Sequence, residues 1–338
     1  MKTGNWFFAA LIMTILVPPL RATIWRVDNR TGSPGDFTTL QVANDTSVVT
    51  SGDTLHVYGS GASYGPLTAT KALIMIGPGY FLGENPETQA YSTPAQGDII
   101  TFSTGSEGSM LMGMSPQQII INVNNIVVKR VHIDRSSMSP CILITTASNV
   151  FVQQSYLVNS YSNMSVETIE LTGTASNIVI ANNYMKAYNG NGNAITGVVE
   201  ATLEVSQNVM YGDLDVYNAT VQNNILGSGN VYANTGNSFQ GNLCTGTQFD
   251  TTGGNLQYVD MGTVFVGTGS TDGQWQLAAD SPAIGAGVDG VDAGMFAGYG
   301  PYVLSGVPAI PALYFLNSPA SGSPAAGLQV HVKAKSRN

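Results

Sequence analysis

A nine-residue pattern recurs five times between residues 125 and 226, and it constrains the fold more than any other feature of the chain. The copies begin at Asn125, Asn149, Asn177, Thr202 and Asn218. Their second residues are Ile126, Val150, Ile178, Leu203 and Ala219, and their fourth are Val128, Val152, Ile180, Val205 and Val221. Apolar second and fourth positions around a mixed third are what a half-buried strand requires. Successive copies start 24, 28, 25 and 16 residues apart, the range of solenoid repeats. Near-constant cores with variable spacers imply aligned strands joined by loops of variable length. The seventh position holds Val131, Ser155, Asn183, Asn208 and Asn224. Asn side chains stacked there can bond to the same residue one coil away, which fixes a tight bend and satisfies buried amides.

A longer match extends the pattern upstream. Cys141–Asn149 aligns without gaps on Ile169–Asn177, and the string Thr-Ala-Ser-Asn is identical in both. This alignment sets Glu170 opposite Ile142, facing outward. It also places Cys141 on an apolar position, so Cys141 and Cys244 are expected to be two buried free thiols rather than a disulfide.

Only 10% of the 338 residues are charged, against roughly 25% in an average soluble domain. With 39 glycines, this argues for an all-β chain with many turns and against disorder or a helical protein. Net charge is −9, and Lys186 is the one Lys or Arg between Ser136 and Val332. Nucleic acid is therefore excluded as a partner, since its binding rests on Lys and Arg contacts to phosphate. An anionic polysaccharide along the main body is disfavoured for the same reason. At the N-terminus, Lys2, the apolar run Trp6–Val17 and the segment Pro18–Ala22 read as a signal peptide over residues 1–22. The run is short of the roughly 20 apolar residues that a membrane span needs, which argues against an uncleaved anchor. Export to the medium or a bacterial cell surface follows, with no transmembrane span in the mature chain.

The rung Asn177-Ile-Val-Ile-Ala-Asn-Asn-Tyr-Met185 resembles those of the pectin-lyase-like right-handed parallel β-helix superfamily. The flanks agree with this likeness. Phe37–Thr50 resembles the amphipathic helix that caps the first coil of such proteins, and Ser51–Val57 resembles the Gly-Asp-Thr strand that begins it. Ala72–Tyr80 looks like an early rung. Leu277–Gly287 with Asp292–Phe296 resembles the closing coil of secreted bacterial members. The resemblance covers about residues 37–298. It implies a right-handed parallel β-helix over 23–298, with about ten or eleven coils in 37–298 and an N-terminal capping helix. A short appended segment follows over 299–338, with strand-like runs at Ala312–Leu316 and Leu328–Ala334. The basic end at Lys333, Lys335 and Arg337 is read as solvated.

The resemblance also implies polysaccharide chemistry, but the usual equipment is missing. The Gly-His-Asp and Arg-Ile-Lys triplets of polygalacturonase-like hydrolases do not occur. Val131-His132-Ile133-Asp134-Arg135 is similar to a pectate-lyase motif, which makes Lys129, Arg130, Asp134 and Arg135 candidate catalytic residues, although the segment is also the tail of the first repeat copy. Asp213 and Asp215 alternate on one strand and should face outward, as should Glu170. A carboxylate pair can cleave a glycosidic bond or hold Ca²⁺; no other cofactor and no metal site is expected. The eighth position of the repeat also faces outward and holds His132, Tyr156 and Tyr184, with Tyr188 nearby. Such a row of rings beside amides suits a neutral sugar chain. The reading that follows is a non-catalytic carbohydrate-binding or adhesin-like scaffold. The alternatives are a polysaccharide lyase or glycoside hydrolase with unfamiliar catalytic residues, and a purely structural surface protein.

Overall fold

A computed structural model describes residues 22–162, 166–325 and 327–336. Nearly all of the signal-peptide reading, and Arg337, lie outside the described residues. Three long parallel sheets dominate. Ten strands, from Ile24–Val27 to Ser238–Gln240, form the largest. Seven form the second, from Leu67–Ala69 to Asp213–Asp215, and six the third, from His132–Arg135 to Leu243–Cys244. Each full coil passes from the ten-stranded sheet to the six-stranded, then the seven-stranded, and back. This is the architecture of a parallel β-helix, with ten rungs of its largest sheet between residues 24 and 240.

The repeat register holds rung by rung. Val128, Val152, Ile180, Val205 and Val221 stack in one inward column, continued upstream by Leu111, Met75 and Leu55. All eight are fully buried. At about 1.5–3 kcal/mol for each such side chain, this column is a main source of stability.

After each rung the chain turns sharply into the six-stranded sheet. The sixth residues of the copies, Arg130, Gln154, Asn182, Gln207 and Asn223, all have left-handed backbone, with φ between 51° and 58°. That conformation is unfavourable for a side-chain-bearing residue, least so for Asn. The seventh residue offsets it. Oδ1 of Asn183, Asn208, Asn224, Asn242 and Asn255 accepts the backbone N–H of the equivalent residue one coil earlier, each at 2.9–3.0 Å. The Nδ2 groups of Asn183, Asn208, Asn224 and Asn242 donate to strand carbonyls and to the next Asn. Ser155 joins by accepting from Val131 N. The ladder thus runs from Ser155 to Asn255, two coils beyond the sequence expectation. A second, exposed ladder links the first residues: Asn177 Nδ2 donates to Asn149, and Asn149 Nδ2 to Asn125.

Three expectations need correction. The first rung is Ile24–Val27, one coil before the Gly-Asp-Thr strand, whose Asp53 instead ties Thr23 N and Trp25 Nε1 to the stack. The helix Leu40–Asp45 does cap an edge: Gln41 and Asn44 side chains accept the backbone N–H groups of Thr68 and Thr70. Second, Leu277–Phe296 is not a closing coil. The stack ends near the bridge between Leu243 and Leu256, and the chain then doubles back along the outside of the six-stranded sheet. Third, Ile142, not Cys141, pairs with Ile169, so Glu170 stands opposite Leu143. The gapless alignment therefore slips by one residue before Ser148, which pairs with Ser176. Glu170 still faces outward between buried Ile169 and Leu171. Cys141 and Cys244 are buried and free.

The returning strap is fastened by the sixth-position side chains. Arg130 Nη1 donates to Val307 O, Gln154 Nε2 to Gly300 and Pro301 O, and Asn182 Nδ2 to Met295 and Ala297 O. Gln207, with its amide nitrogen turned toward the strap, reaches Gly294 and Asp292 O, and Val288 N donates to Asn223 Oδ1. The strap descends as the coils ascend. Beyond it, Ala312–Asn317 and His331–Lys335 pair as an antiparallel hairpin.

Asn183→Leu should destabilise the protein by about 2 kcal/mol or more, because Ser155 N and Val152 O lose a buried partner. Chemical denaturation checks this; an unchanged midpoint would remove the ladder from the stability argument.

Candidate functional site

The outward row at the eighth position is built as the repeat implies, but it is not open to solvent. His132, Tyr156, Tyr184, Val209 and Ile225 align on neighbouring rungs of the six-stranded sheet. Tyr156 and Tyr184 stack at 4.4 Å between ring centroids and 15° between planes. Their exposure is only 6% and 2%. The expected flat aromatic platform is therefore a second hydrophobic core outside the solenoid, sealed by the strap and by the loop 77–95. Phe81 from that loop lies 4.6 Å from His132 and edge-on to Tyr156. Trp275 packs 4.7 Å from Tyr184 and 5.3 Å from Tyr211, and its Nε1 donates to the Tyr156 hydroxyl. Tyr188, expected beside this row, sits in the short turn Tyr188–Gly190 and makes no ring contact with it.

The two covering segments meet at a fully buried carboxylate. Asp272 accepts from Asn85 Nδ2 at 2.9 Å, Ser270 Oγ at 3.0 Å, the Tyr302 hydroxyl at 3.2 Å and Ser305 N at 2.6 Å. Tyr80 adds a hydroxyl bond to Tyr302. Four donors on one carboxylate replace its lost hydration.

Where the cover ends, a cleft of about 590 Å³ remains. Phe81 and Trp275 wall it, His132, Tyr156 and Tyr184 form its base, and Asp134, Lys186 and Gln274 rim it. Asp134 and Lys186 stand two rungs apart with Val158 between them, about 10 Å at ordinary strand spacing. A smaller cleft of about 220 Å³ adjoins and shares His132 and Asp134. It is polar, lined by Gln96, Asp98, Ser115 and Gln117 among others. Ser115 Oγ is buried there without a hydrogen-bond partner among the described residues. Burial depresses the His132 pKa to about 4, so the imidazole is neutral at physiological pH. Burial also pushes Tyr156 and Tyr211 up to about 12, so both phenols stay protonated.

The other sequence candidates fall elsewhere. Arg130 is buried, donates to Gln154 and Val307 O, and serves the strap. Lys129 is half-buried on the ten-stranded sheet. Arg135 donates to Pro140 O, closing its own loop. Glu170, Asp213 and Asp215 lie on the seven-stranded sheet. Asp213 is not free as expected: it is buried, accepting from Asn230 and from the Tyr232 hydroxyl, while Asp215 accepts from Asn234. No group of three or more His, Cys, Asp or Glu side chains able to hold a metal occurs among the described residues. No described helix is long and apolar enough to cross a membrane. Sequence reasoning missed Phe81, Asp98 and Trp275, which no local pattern connects to His132, and Lys186, which strand alternation puts on the same outward face two residues past Tyr184.

Comparison with protein-family models, curated proteins and solved structures finds no match.

Two outcomes are expected. Asp272→Asn places an amide donor among four donors, so it should loosen the strap by about 2 kcal/mol. Faster proteolysis of 259–307 and a red-shifted Trp275 emission would show it; an unchanged cleavage pattern would not fit. Second, His132 has a folded pKa below its ordinary 6.5, so the unfolded chain binds a proton first. Its contribution is fully present above pH 6.5 and is lost as pH falls toward 4. His132→Gln should flatten stability over that window, and an NMR titration of His132 should place its midpoint near 4. A midpoint near 6.5 would mean a solvated ring.

Proposed function

We propose that the chain is an exported, right-handed β-helix protein of the pectin-lyase-like kind that holds a neutral glycan in the groove between Asp98 and Trp275. The observation that carries this reading is the continuity of the two clefts through His132 and Asp134. One end offers ring faces and edges, which pack on the apolar faces of sugars. The other offers the exposed amides of Gln96 and Gln117 and the Asp98 carboxylate, which suit sugar hydroxyls. The charges in the groove are two carboxylates against the single Lys186, a balance that disfavours uronates. Export rests on the N-terminal sequence, and right-handedness on the general preference of parallel crossovers.

A second reading, glycoside hydrolysis, has one observation in its favour. Asp98 and Asp134 line the same small cleft beside a neutral imidazole. Two facing carboxylates are the usual requirement for that reaction.

One experiment separates these readings. Neutral and acidic oligosaccharides are titrated into the protein, with and without Ca²⁺, following Trp275 emission and heat, while reducing ends are assayed in parallel. Neutral oligomers should bind, and Trp275→Ala should weaken them about tenfold, equivalent to about 1.4 kcal/mol. Affinity should stay level from neutral pH down toward 5, because His132 remains uncharged. Release of reducing ends that Asp98→Asn or Asp134→Asn abolishes would make the groove an active site. No interaction with any saccharide would leave a purely structural role.

A further inference from the structure

The hairpin Ala312–Asn317/His331–Lys335 is tied to the body by Ala90 N, which donates to Leu313 O at 2.7 Å, and by the exposed ion pair Lys335–Glu87. Its first strand carries a bulge between Leu313 and Phe315. Without a bulge, residues three apart point to opposite sides of a strand. With it, Leu313 and Leu316 both line one groove of about 410 Å³ between hairpin and body. Small-molecule sites commonly measure roughly 300–1,000 Å³. The groove shares no lining residue with the two clefts around His132.

Its other lining groups are rings and one cation. His56 and Tyr58, from the second rung and the residue after it, line the groove with ring centroids 5.0 Å apart. Tyr91 joins them because its loop packs onto Gly59 more closely than a side chain permits: a Cβ there would lie 2.0 Å from Thr93 O. The Arg30 guanidinium stands 5.5 Å from the Tyr58 ring centroid and 5.2 Å from that of Tyr91. Its Nε and Nη2 donate to the buried Asp28 carboxylate at 2.9 and 2.6 Å, which fixes its orientation. Asp28 also accepts from Arg30 N and the Ser33 hydroxyl, so its charge is shared among several donors. Arg30 Nη1 makes no hydrogen bond among the described residues, and a guanidinium fork can serve a second acceptor there. Burial holds the His56 pKa below its ordinary value, so the ring is uncharged at neutral pH. Arg30 is then the one cation lining the groove, and no carboxylate lines it, on a chain whose net charge is −9.

We infer that this groove binds a small aromatic carboxylate, its acid on Arg30 Nη1 and its rings packed among Tyr58, Tyr91, Leu313 and Leu316. A charged acceptor on a guanidinium makes a shorter and stronger hydrogen bond than a neutral one. An aliphatic acid would gain that bond but not the ring contacts, which favour aromatic partners. A neutral aromatic would gain the contacts but give Nη1 no more than water does. A guanidinium already oriented by Asp28 and two rings loses little freedom when the ligand arrives. The hairpin thereby acquires a role: it supplies the aliphatic wall of the site.

The test is calorimetric titration of the full chain with 2-naphthoate up to about 5 mM, and with 2-naphthamide as the neutral isostere. Naphthoate should bind with a Kd of about 0.1–1 mM and the amide at least about tenfold more weakly. Leu316→Trp, at a side chain 55% exposed, fills the groove and should abolish binding while leaving the thermal melt unchanged. Tyr91→Ala, also half exposed, should weaken naphthoate about fivefold. Arg30→Gln should bring acid and amide to the same affinity. That variant also frees Asp28, so if it fails to fold the isostere pair and Leu316→Trp still decide the matter. Trp275→Ala should bind naphthoate like the wild type, which separates this site from the glycan groove. No binding of naphthoate overturns the inference, as does an amide that binds equally well. Binding that survives Leu316→Trp, or that Trp275→Ala removes, places the ligand elsewhere and also overturns it.

Discussion

Everything in this molecule hangs on the two-residue turn that follows each rung of the ten-stranded sheet. Its first residue takes the left-handed backbone, which costs a side-chain-bearing residue on the order of 1–2 kcal/mol. Its second residue, usually Asn, gives an oxygen to the N–H one coil earlier and an N–H to a carbonyl. Each turn therefore depends on the coil beside it, and no coil can form its bend alone. This is why the solenoid behaves as a stack rather than a string of hairpins. The strand cores supply most of the buried apolar area. The turn supplies the register, because an amide displaced by one residue would leave two buried groups unpaired.

The same turn organises the outside. Because the seventh side chain points inward, the sixth is directed outward, and its polar end meets the backbone carbonyls, or at Asn223 the backbone N–H, of a strap that has little regular structure of its own. An extended segment with few internal hydrogen bonds would otherwise expose its backbone groups or bury them unpaired. Arg130, Gln154, Asn182, Gln207 and Asn223 accommodate it one coil at a time. The strap in turn buries the aromatic row, and Asp272 joins it to the loop 77–95. Arg130 and Asp272 are buried charges without an ion-pair partner among the described residues, each held by neutral donors or acceptors. Such groups tolerate little change in their surroundings, so the cover is specified as sharply as the core.

Much of the fold was legible in the sequence because the strand and turn share a short-range code. Apolar residues at the second and fourth positions and Asn at the seventh are local facts, and they fixed the register of five rungs. The ladder's continuation to Asn242 and Asn255 was not legible, since Phe239-Gln240-Gly241-Asn242 lacks the apolar spacing of the earlier copies. The one-residue slip at Ile142 was hidden because Cys, Ile and Leu are interchangeable in apolar character. The candidate site was half legible. Strand alternation placed His132, Asp134, Tyr156 and Tyr184 on one outward face. Alternation cannot say whether an outward face meets water, and Trp275, 119 residues from Tyr156 along the chain, closes most of it.

That partial closure is what turns a face into a groove. An open row of Tyr rings would bind weakly and without preference, since stacking alone contributes about 0.5–1.5 kcal/mol per pair. Covering Tyr156 and Tyr184 removes their faces from use but leaves Phe81 and Trp275 as walls, fixed by contacts on their far sides. Side chains locked this way lose little entropy when a ligand arrives. The polar end differs: Gln96 and Gln117 stand exposed on the seven-stranded sheet, and Asp98 beside them is half-buried and accepts from Ser63 Oγ. His132 joins the two halves, and its neutrality follows from the rings packed around it. A charged imidazole there would attract Asp134 and draw water into the cleft. An uncharged one leaves the groove apolar where the walls are and polar where the amides are, which is the division that a sugar ring presents.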